Sequence, residues 1–417
     1  MDGQPQRIPD GVMYCKIETL NGVKDYAPRV RCIRLFGVSL SSFQNEEWTG
    51  ANGCEVHILD ISIRDWQHAV SRSQWELSAR WRKGLRLFHE ETPVGDSLRD
   101  SLWVEVTYKL ARSPSDSYAY PAFTGSAPTY IEVDSVEVVL GPSLPPLAML
   151  SNLPVQRVQD TEHDWKLEGF HVGQGMCAVF HNDESGFLLD AGAGTPVNRE
   201  SYQAKAIVNE LIPLVKKLAT SDARLPMIIS HPDADHWRLL DWDVELLNRV
   251  GPVYLPSGRP SLAFNSHIIK PRVHGIGTQT LFRSRSGPTS LSVYRSAPTS
   301  SDKNGECLVT VCETAGKKAL LPGDYVYKRM NSEAGTPISL LYTGQFDAVV
   351  VPHHGDEASS EQVFLPVGSE SKAFFSAGTH QGYGHPTQSS IDAHRAIGFD
   401  IVEDHAQRDI VSVPLIP

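Results

Sequence analysis

The sequence has few of the features that mark the simplest classes of protein. Its six cysteines are scattered among 417 residues and include no Cys-x-x-Cys pair, so neither a zinc ribbon nor a disulfide framework is indicated. No apolar run is long enough to cross a bilayer, and residues 1–7 show no basic leader followed by an apolar segment. These absences predict a cytoplasmic protein without a membrane partner.

Basic residues are fewer than acidic residues. The chain has 38 Lys and Arg against 49 Asp and Glu, which gives a net charge of -11. This balance argues against broad, sequence-independent binding of nucleic acid through a basic surface. It does not exclude a nuclease, because carboxylates that hold divalent ions add negative charge, and bound ions reverse its sign where a phosphate must lie.

The length and the apolar content of 41% are sufficient for two domains. Residues 1–155 predict a β-rich domain with one helix over 65–82, followed from residue 141 by a stretch rich in Pro and Gly. The basic and aromatic stretch 80–86 is open to two interpretations, a contact for nucleic acid or the charged end of that helix. Four predicted strands mix β-branched and alternating polar residues: 29–36, 55–61, 102–108 and 130–136.

Residues 156–417 alternate strands with helices, which is typical of the α/β class. Strands at 167–170, 177–180 and 186–192 predict an antiparallel run, and a long amphipathic helix is expected over 200–218. A further helix is expected over 244–250 with Gly251 as its C-cap. Residues 257–289 predict an exposed excursion in which Arg283 and Arg285 either meet an anionic substrate or are ordinary solvated charges.

A dense group of ligand-type side chains lies in the loop 230–236. Two imidazoles and two carboxylates, His231, Asp233, Asp235 and His236, come after the short apolar run 226–229. Such a group can reach one metal ion or two adjacent ones, although a polar turn that caps the next helix is the alternative. Downstream, the adjacent pair His353 and His354 ends another apolar strand, where ring nitrogens must find partners.

The pattern His-x-Asp-x-Asp-His resembles the metal-binding signature of the metallo-β-lactamase superfamily, and looks most like the branch that includes the nuclease-like domain of the competence DNA-uptake protein ComEC. Four more blocks occur in the family's order. They are Val-Gly-Gln-Gly at 172–175, Asp190 before a glycine-rich turn, Leu-Leu-x-Gly-Asp ending at Asp324, and Pro-His-His-Gly at 352–355. The late segment Gly384-His385-Pro386 is similar to the family's His-Pro segment. The resemblance implies an αββα sandwich with both ions at one edge of two packed sheets.

The resemblance also implies roles for single residues. His231 and Asp233 would hold a first ion, Asp235 and His236 a second, Asp324 would bridge them, and His354 would complete the second site. Three further residues have implied roles outside this ligand set. Asp190 would orient the metal loop, His353 would lie behind the ligands or face substrate, and His385 would donate to a phosphate oxygen or protonate a leaving group. Asp235 and His385 are the expected catalytic residues.

The implied cofactors are two divalent ions, Mn²⁺ or Zn²⁺ and alternatively Mg²⁺. Asp233 replaces an imidazole and enriches the site in oxygen, which shifts the preference toward manganese or magnesium without excluding zinc. Two such ions would present a bridging water as hydroxide, so hydrolysis is the expected reaction.

The chain departs from the family pattern at several positions. His171 and Met176 stand where acidic residues usually flank Val-Gly-Gln-Gly, and Asp356 stands where a serine usually comes after Pro-His-His-Gly. Trp237 and Arg238 replace two glycines, which predicts a narrowed pocket or a redirected substrate. No histidine clearly supplies the additional first-site ligand, so the first site is expected to be weaker, or to be filled only when substrate is present. Four other histidines are predicted to be structural: His163, His267, His274 and His394.

The leading hypothesis is therefore a metal-dependent phosphodiesterase or nuclease, with nucleic acid as a possible substrate. The alternatives are a hydrolase of a small ester, lactone or nucleotide on the same fold, and a binding or assembly protein that retains the fold without turnover. The N-terminal domain is expected to select substrate or a protein partner.

Overall fold

The structure, a computed structural model, describes residues 11–23, 25–26, 30–72, 101–147, 157–158, 165–219, 224–258, 261–284, 289–297, 305–378, 384–403 and 408–417. The chain divides into two compact units. The first, the barrel unit, comprises Met1–Pro145 and Pro260–Pro271, and the second, the sandwich unit, comprises Pro146–Arg259 and Arg272–Pro417. The division thus lies ten residues before the expected boundary at 155, and one internal segment belongs to the first unit.

The barrel unit is a closed barrel of six antiparallel strands in the order β1-β2-β3-β5-β6-β4. Its strands are β1 (Gly11–Val23), β2 (Arg31–Ser39), β3 (His57–Ser62), β4 (Leu102–Leu110), β5 (Tyr118–Pro121) and β6 (Thr129–Leu140), and its helices are α1 (Leu40–Gln44) and α2 (Ile63–Arg72). The β-rich prediction is confirmed, and β1 and β5 are strands that the sequence pattern did not predict. The predicted helix 65–82 is described as far as Arg72, so the basic stretch 80–86 lies outside the described residues.

The barrel closes around a charged network as well as an apolar core. Arg34 forms two 2.7 Å hydrogen bonds to the Asp60 carboxylate, and its Nη2 lies 3.1 Å from Asp25 Oδ1. The hydroxyl of Tyr118 donates to Asp60 and that of Tyr120 donates to Asp25. All five side chains are buried, so each charge has partners that replace lost water.

The segment Pro260–Pro271 corrects the expectation of an exposed excursion over 257–289. It contains the 3-10 turn Leu262–Asn265, whose residues are buried. The backbone N–H of Cys54 donates to the Asn265 carbonyl at 3.0 Å, and His267 N–H donates to the Cys54 carbonyl at 2.8 Å. The next residues along the chain form strands, with Arg283 in the second of them, whereas Arg285 lies outside the described residues.

The sandwich unit contains a sheet of seven strands in the order β13-β12-β11-β10-β9-β8-β23 and a sheet of eight in the order β22-β21-β19-β17-β16-β15-β14-β7, with β18 and β20 pairing separately. The strands β8, β9 and β10 form the predicted antiparallel run. The strands of the first sheet are β8 (Lys166–Phe170), β9 (Cys177–His181), β10 (Gly186–Ala191), β11 (Leu225–Ile228), β12 (Val250–Pro256), β13 (Val273–Ile276) and β23 (Ser412–Ile416). Those of the second are β7 (Arg157–Val158), β14 (Gln279–Ser284), β15 (Ser290–Arg295), β16 (Leu308–Thr314), β17 (Lys317–Leu321), β19 (Ala348–Val350), β21 (Lys372–Phe375) and β22 (Asp400–Glu403), and the separate pair is β18 (Gln345–Phe346) with β20 (Leu365–Pro366).

The two sheets face each other across one apolar core, which joins Leu189 and Ile228 of the first sheet to Leu291, Ala319 and Val350 of the second. Neighbouring strand residues point to the opposite faces, as the pleat requires, and helices cover those faces. The helices near the first sheet are α3 (Arg199–Gln203), α4 (Leu211–Leu218), α5 (Arg238–Trp242) and α6 (Val244–Arg249), and those on the second are α7 (Tyr327–Ser332), α8 (Pro337–Leu341) and α9 (Gln388–Ala396).

These helices complete a four-layer arrangement. On the first sheet, α5 contacts β10 and α6 contacts β12. On the second, a separate core joins Val349 of β19 to Met330 of α7, Ile338 of α8 and Ile391 of α9. The layers therefore run helix, sheet, sheet, helix, and the predicted αββα sandwich is confirmed.

Two predicted helices differ from the structure. The expected helix 200–218 is two helices, α3 and α4, because Lys205 adopts a positive φ of 51° and the Asn209 side chain accepts from the backbone of Leu211. Val208, which fits the helical spacing, is 57% exposed between them. Helix α6 ends one residue earlier than expected, with Val250 as its C-cap and Gly251 inside β12.

No helix within the described residues has both the length and the apolar character that spanning a membrane would require.

Candidate metal centre

Strand ends from both sheets bring the predicted ligands together. In the first sheet, β10 and β11 are parallel; Asp190 is the penultimate residue of β10, and Ser230 lies two residues after the end of β11. In the second, β17, β19 and β21 are parallel and lead to Asp324, His354 and Ser376. Because parallel strands end at the same edge of a sheet, these loops meet there, where ligands bind in open α/β sheets.

The Asp324 carboxylate lies between the imidazoles. Its Oδ1 is 3.3 Å from His236 Nε2 and 3.8 Å from His354 Nε2, whereas its Oδ2 is 3.4 Å from His231 Nε2. Asp235 Oδ2 lies 3.3 Å from His354 Nε2. The two oxygens of Asp324 therefore face two different groups of donors, as the predicted bridging role requires.

Asp233 and the rest of the 230–236 loop lie beside this cluster. Asp233 Oδ2 is 3.7 Å from His231 Nε2, and Asp235 Oδ1 is 4.0 Å from His236 Nε2. Within the described residues, two compact triplets have all ligand atoms within 4.8 Å of one another, His231 with His236 and Asp324, and Asp235 with His236 and His354. The structure thus brings together all six residues predicted to hold metal.

The Nδ1 atoms of two imidazoles have hydrogen-bond partners on the side away from the cluster. His236 Nδ1 is 3.0 Å from Asp190 Oδ2 and 2.9 Å from Ser230 Oγ, and His354 Nδ1 donates to the Ser376 carbonyl at 2.8 Å. The Nε2 atoms of His231, His236 and His354 are buried and have no hydrogen-bond partner within the described structure. Buried ring nitrogens without partners are costly, so this donor set fits divalent metal, whose binding satisfies them.

The pKa shifts in the cluster also favour the binding of a cation. Burial alone would raise the pKa of Asp324, but His231, His353 and His236 hold it well below the usual range. Asp235 shows the same balance, because its close contact with His354 and the charge of His236 outweigh burial and lower its pKa. Conversely, Asp190 and Asp324 overcome burial and raise the pKa of His236. The carboxylates remain ionised and favour positive charge at the centre.

His353 and His385 lie on the more open side of the cluster. His353 Nδ1 is 2.8 Å from Asp356 Oδ2, its Nε2 is 3.7 Å from Asp324 Oδ2, and its side chain is 33% exposed. Although burial lowers the pKa of His353, Asp324 and Asp356 raise it to about 9. The His385 ring is 5.6 Å from that of His353, and burial together with His354 and His353 lowers the pKa of His385 to about 4.

Unusual backbone conformations position several of these residues. Asp190, His353 and His354 have φ values of 55°, 46° and 54°, a region that costs non-glycine residues energy and often marks functional sites. Gly192 is required by a close approach, because a Cβ there would lie 1.5 Å from the Asp235 carbonyl oxygen. Gly323 has a φ of 60°, and its Cβ would lie 2.5 Å from Ser230 Cβ.

Trp237 and Arg238, which replace the two glycines of the family pattern, both donate to backbone carbonyls near the cluster. Trp237 is 1% exposed, and its indole N–H donates to the Pro232 carbonyl at 2.8 Å. This hydrogen bond connects the residue after the loop 230–236 to the start of that loop. Arg238 Nη1 donates to the Ala193 carbonyl at 3.3 Å. Met176, at one position of departure from the family, is part of the core between the sheets.

Sequence reasoning missed Ser230, Asp356 and Ser376 as contributors to the site. Ser230 donates to Asp190 through both its backbone N–H at 2.7 Å and its hydroxyl at 2.8 Å. The Ser376 contribution is a backbone carbonyl, for which no sequence signal exists. Asp356 had a signal, since it replaces the usual serine beside a histidine pair.

The histidines predicted to be structural lie outside the cluster where they are described. His394 is buried in α9, with Nδ1 donating to the Ser390 carbonyl at 2.7 Å and Nε2 3.0 Å from the Tyr327 hydroxyl. His267 contacts the Cys54 carbonyl in the barrel unit, and His274 lies in β13. His163 lies outside the described residues.

The similarity of the chain to known proteins is distant. No protein-family model matches the chain. In sequence, the chain is similar to the competence protein ComA of Neisseria gonorrhoeae, with 25% identity over 243 residues, which cover 58% of this chain and 31% of that protein. The chain therefore matches about a third of the length of this curated relative.

Two solved structures are also similar over part of the chain. The metallo-β-lactamase fold protein YhfI of Bacillus subtilis is 12% identical with a TM-score of 0.36, and the match covers 60% of this chain and 99% of YhfI. The short form of human tRNase Z is 11% identical with a TM-score of 0.34, over 60% of this chain and 100% of that protein. The chain's own layer and strand order, its motif order and the convergence of its His and Asp side chains are what support the fold. On those grounds, the chain has the metallo-β-lactamase fold.

Proposed function

We propose that this protein is a metal-dependent hydrolase that cleaves phosphodiesters, with nucleic acid as the leading substrate. One observation carries the proposal: three buried Nε2 atoms, of His231, His236 and His354, converge beside ionised carboxylates, and none of the three has a hydrogen-bond partner among the described residues. A structural histidine such as His394 shows the opposite arrangement, with both ring nitrogens engaged.

The proposed ligands are His231, Asp233, Asp235, His236, Asp324 and His354. Divalent ions held there would supply an activated water and neutralise charge that develops on a phosphoryl oxygen. The chain's own contribution is orientation. Asp190 fixes the ring of His236, the Ser376 carbonyl fixes that of His354, and Ser230 ties the loop to Asp190. Such outer contacts set ligand geometry in metal sites.

Sequence similarity and the position of two histidines both favour a phosphodiester as the substrate. The loop resembles that of the ComEC-type nuclease-like domain, and the sequence is similar to a competence protein. On the open side, His353 and His385 present ring nitrogens close to the cluster, where each can donate a hydrogen bond to a substrate oxygen. We assign His385, together with Asp235, to the catalytic machinery, and His353 to substrate contact.

The cofactors in this proposal are two divalent ions, Mn²⁺ or Zn²⁺ and alternatively Mg²⁺. Three of the six ligands are carboxylates, which suit hard cations, and three are imidazoles, which suit zinc. The barrel unit is proposed to select substrate or a protein partner, and a cytoplasmic location remains a prediction.

The test is hydrolysis by the full chain with Mn²⁺ or Zn²⁺, on single-stranded DNA, duplex DNA and bis(p-nitrophenyl) phosphate. Cleavage of DNA that is lost in Asp235→Ala is expected. Asp392→Ala, at a 60% exposed carboxylate on α9, is the matched control that retains activity. Turnover of the small diester without DNA cleavage would favour a small-molecule hydrolase, and metal uptake without any turnover would favour a binding protein.

A further inference from the structure

We infer that Asp356 is a positioning residue for the substrate, which holds the ring of His353 so that its Nε2 atom meets an anionic oxygen of the phosphoryl group. This inference rests on the proposed function and deepens it, because it selects a substrate with a negatively charged oxygen over a neutral ester or lactone. Asp356 is also a departure of this chain from the family that it resembles, in which a serine usually comes after Pro-His-His-Gly.

His353 lies between the ligand cluster and solvent. Its side chain is 33% exposed, whereas that of the adjacent His354 is 2% exposed. The two rings face different oxygens of Asp324, with His354 Nε2 3.8 Å from Oδ1 and His353 Nε2 3.7 Å from Oδ2. The backbone N–H of His353 donates to the Gly323 carbonyl at 3.1 Å, which keeps this residue beside Asp324. His353 is therefore placed to contact a substrate that approaches the cluster from solvent.

Both oxygens of the Asp356 carboxylate have a partner. Oδ2 is 2.8 Å from His353 Nδ1. Oδ1 accepts from the backbone N–H of Ser359 at 2.9 Å and lies 2.6 Å from the Ser359 hydroxyl. Ser359 is fully buried and belongs to the 3-10 turn Glu357–Ser360, which the Asp356 side chain caps. A buried residue thus fixes the carboxylate, and the carboxylate in turn fixes the imidazole.

A serine at position 356 could not make both contacts. A carboxylate has two acceptor oxygens, whereas a serine has one hydroxyl oxygen. If that oxygen capped the turn Glu357–Ser360, as serine caps commonly do, the Nδ1 atom of His353 would lose this acceptor. The half-exposed ring could then rotate about its side-chain bonds, and a substrate would have to order the ring as it binds, which costs free energy. Asp356 removes that cost because the ring is oriented in advance.

The charges of the pair fit an anion. An ionised carboxylate can only accept hydrogen bonds, so Nδ1 of His353 donates to Asp356, and an anion at Nε2 meets a ring that is protonated on both nitrogens. The positive ring then lies between two negative groups, the Asp356 carboxylate and the substrate oxygen. Charge-assisted hydrogen bonds of this kind are stronger than those between neutral groups. A phosphoryl oxygen therefore gains more from this contact than the oxygen of a neutral ester.

The experiment measures the binding of inorganic phosphate to the Zn²⁺-loaded full chain by calorimetry, together with KM and kcat for bis(p-nitrophenyl) phosphate. Asp356→Asn keeps an oxygen that can cap Ser359 but places an amide nitrogen, which cannot accept, opposite Nδ1 of His353. We expect phosphate affinity to fall by about tenfold and KM to rise by a similar factor, with kcat and zinc content little changed. Asp356→Ser is a second variant in case the first fails to fold.

Two controls separate positioning from a purely structural role. The double variant His353→Gln/Asp356→Asn should bind phosphate no more weakly than His353→Gln alone, because Asp356 acts through His353, whereas independent structural effects would add. Asp243→Asn is the matched control. Asp243 also has two engaged oxygens, since its side chain caps α6 and accepts from the Tyr202 hydroxyl, and its replacement should leave phosphate affinity unchanged.

Unchanged phosphate affinity in Asp356→Asn would overturn the inference while leaving the proposed function intact, as would losses that add in the double variant. A loaded wild-type chain that binds no phosphate would also overturn it. Failure of the proposed function has a different signature. A chain whose phosphate affinity depends on Asp356 as expected, but which cleaves no phosphodiester, would support the positioning role and remove the proposed hydrolysis.

Discussion

Asp190 connects three parts of the site, although the resemblance does not place it among the metal ligands. Its carboxylate accepts two hydrogen bonds from Ser230 and lies 3.0 Å from His236 Nδ1. These contacts orient the ring of His236 and hold the start of the loop 230–236. Asp190 itself adopts a positive φ of 55°, which is unfavourable for a residue other than glycine.

Asp190→Asn should therefore weaken metal binding by about 10- to 100-fold, because an amide has one acceptor oxygen in place of two. The measurement is the affinity of the full chain for Zn²⁺ by competition with a chromophoric chelator. Asp392→Asn, an exposed carboxylate remote in sequence from every proposed ligand, serves as the control. An unchanged affinity in Asp190→Asn would contradict the orienting role.

Gly192 gives a second prediction for a single residue. A Cβ at this position would lie 1.5 Å from the Asp235 carbonyl oxygen and 2.8 Å from Met176 N, so Gly192→Ala must displace the backbone of the metal loop. We expect a loss of about 1–3 kcal/mol in the free energy of unfolding, together with reduced zinc uptake.

The two readouts for Gly192→Ala are denaturant unfolding and zinc content. Gly368→Ala is the matched control, since a Cβ there meets no atom of the described residues within 4 Å. If both variants behaved alike, the close approach of Asp235 would not be the reason that glycine is required.

Among the secondary-structure elements, α9 is joined to α7 by a buried, uncharged histidine. Burial lowers the pKa of His394 to about 4 from an ordinary value of 6.5. The folded state therefore keeps the neutral form, with Tyr327 and the Ser390 carbonyl as partners. The stability that this provides is complete above pH 6.5 and is lost as the pH falls toward 4.

From this shift we expect the free energy of unfolding to fall by about 2 kcal/mol between neutral pH and pH about 5 because of His394 alone. His394→Asn removes the titrating group, so the variant should be less stable at neutral pH but should lose less stability on acidification. Unfolding by urea at the two pH values, followed by tryptophan fluorescence, measures the difference. Parallel pH profiles for the two proteins would show that His394 does not carry the effect.

The elements also show what a sequence pattern can and cannot predict. The strand that leads into Pro352 and the antiparallel run β8 to β10 follow from their apolar stretches, and both are present. The helix over 200–218 fails because periodicity does not register the positive φ at Lys205 or the Asn209 side chain, which starts α4. Strand β5 has four residues, all buried. So short a strand shows no alternation of apolar and polar residues by which a sequence pattern could identify it.

The same contrast applies to the site. His231, His236, Asp324 and His354 are predictable from motif order, because parallel strands that end at one edge of a sheet bring the loops after them together. The partner of His354 is a main-chain carbonyl, and the role of Trp237 depends on which way its ring turns, inward to the Pro232 carbonyl. Neither is encoded by residue type at a fixed spacing.

For the whole molecule, the barrel unit offers a test of stability that does not touch the metal centre. Arg34 is 2% exposed and is shared by the carboxylates of Asp25 and Asp60. Arg34→Met leaves both carboxylates buried without their cation, which should cost about 3–5 kcal/mol in the stability of the barrel unit.

Differential scanning calorimetry measures the effect of Arg34→Met as a lowered transition for part of the chain. Lys109→Met is the matched control, because the pair of Lys109 with Asp134 has a lysine that is 70% exposed, and such a pair contributes about 0–1 kcal/mol. Equal shifts for the two variants would argue against a structural role for the buried network.

The assignment of Pro260–Pro271 to the barrel unit has a practical consequence for dissecting the chain. A fragment cut to begin near residue 146 would still carry Leu262 and Phe264, which are at most 1% exposed in the intact protein, but would no longer have the strands that cover them. Conversely, a fragment ending near residue 145 would lack the Asn265 carbonyl to which Cys54 donates. A clean separation therefore requires replacing this segment with a short polar linker in one fragment and supplying it as a peptide, or as a graft, to the other.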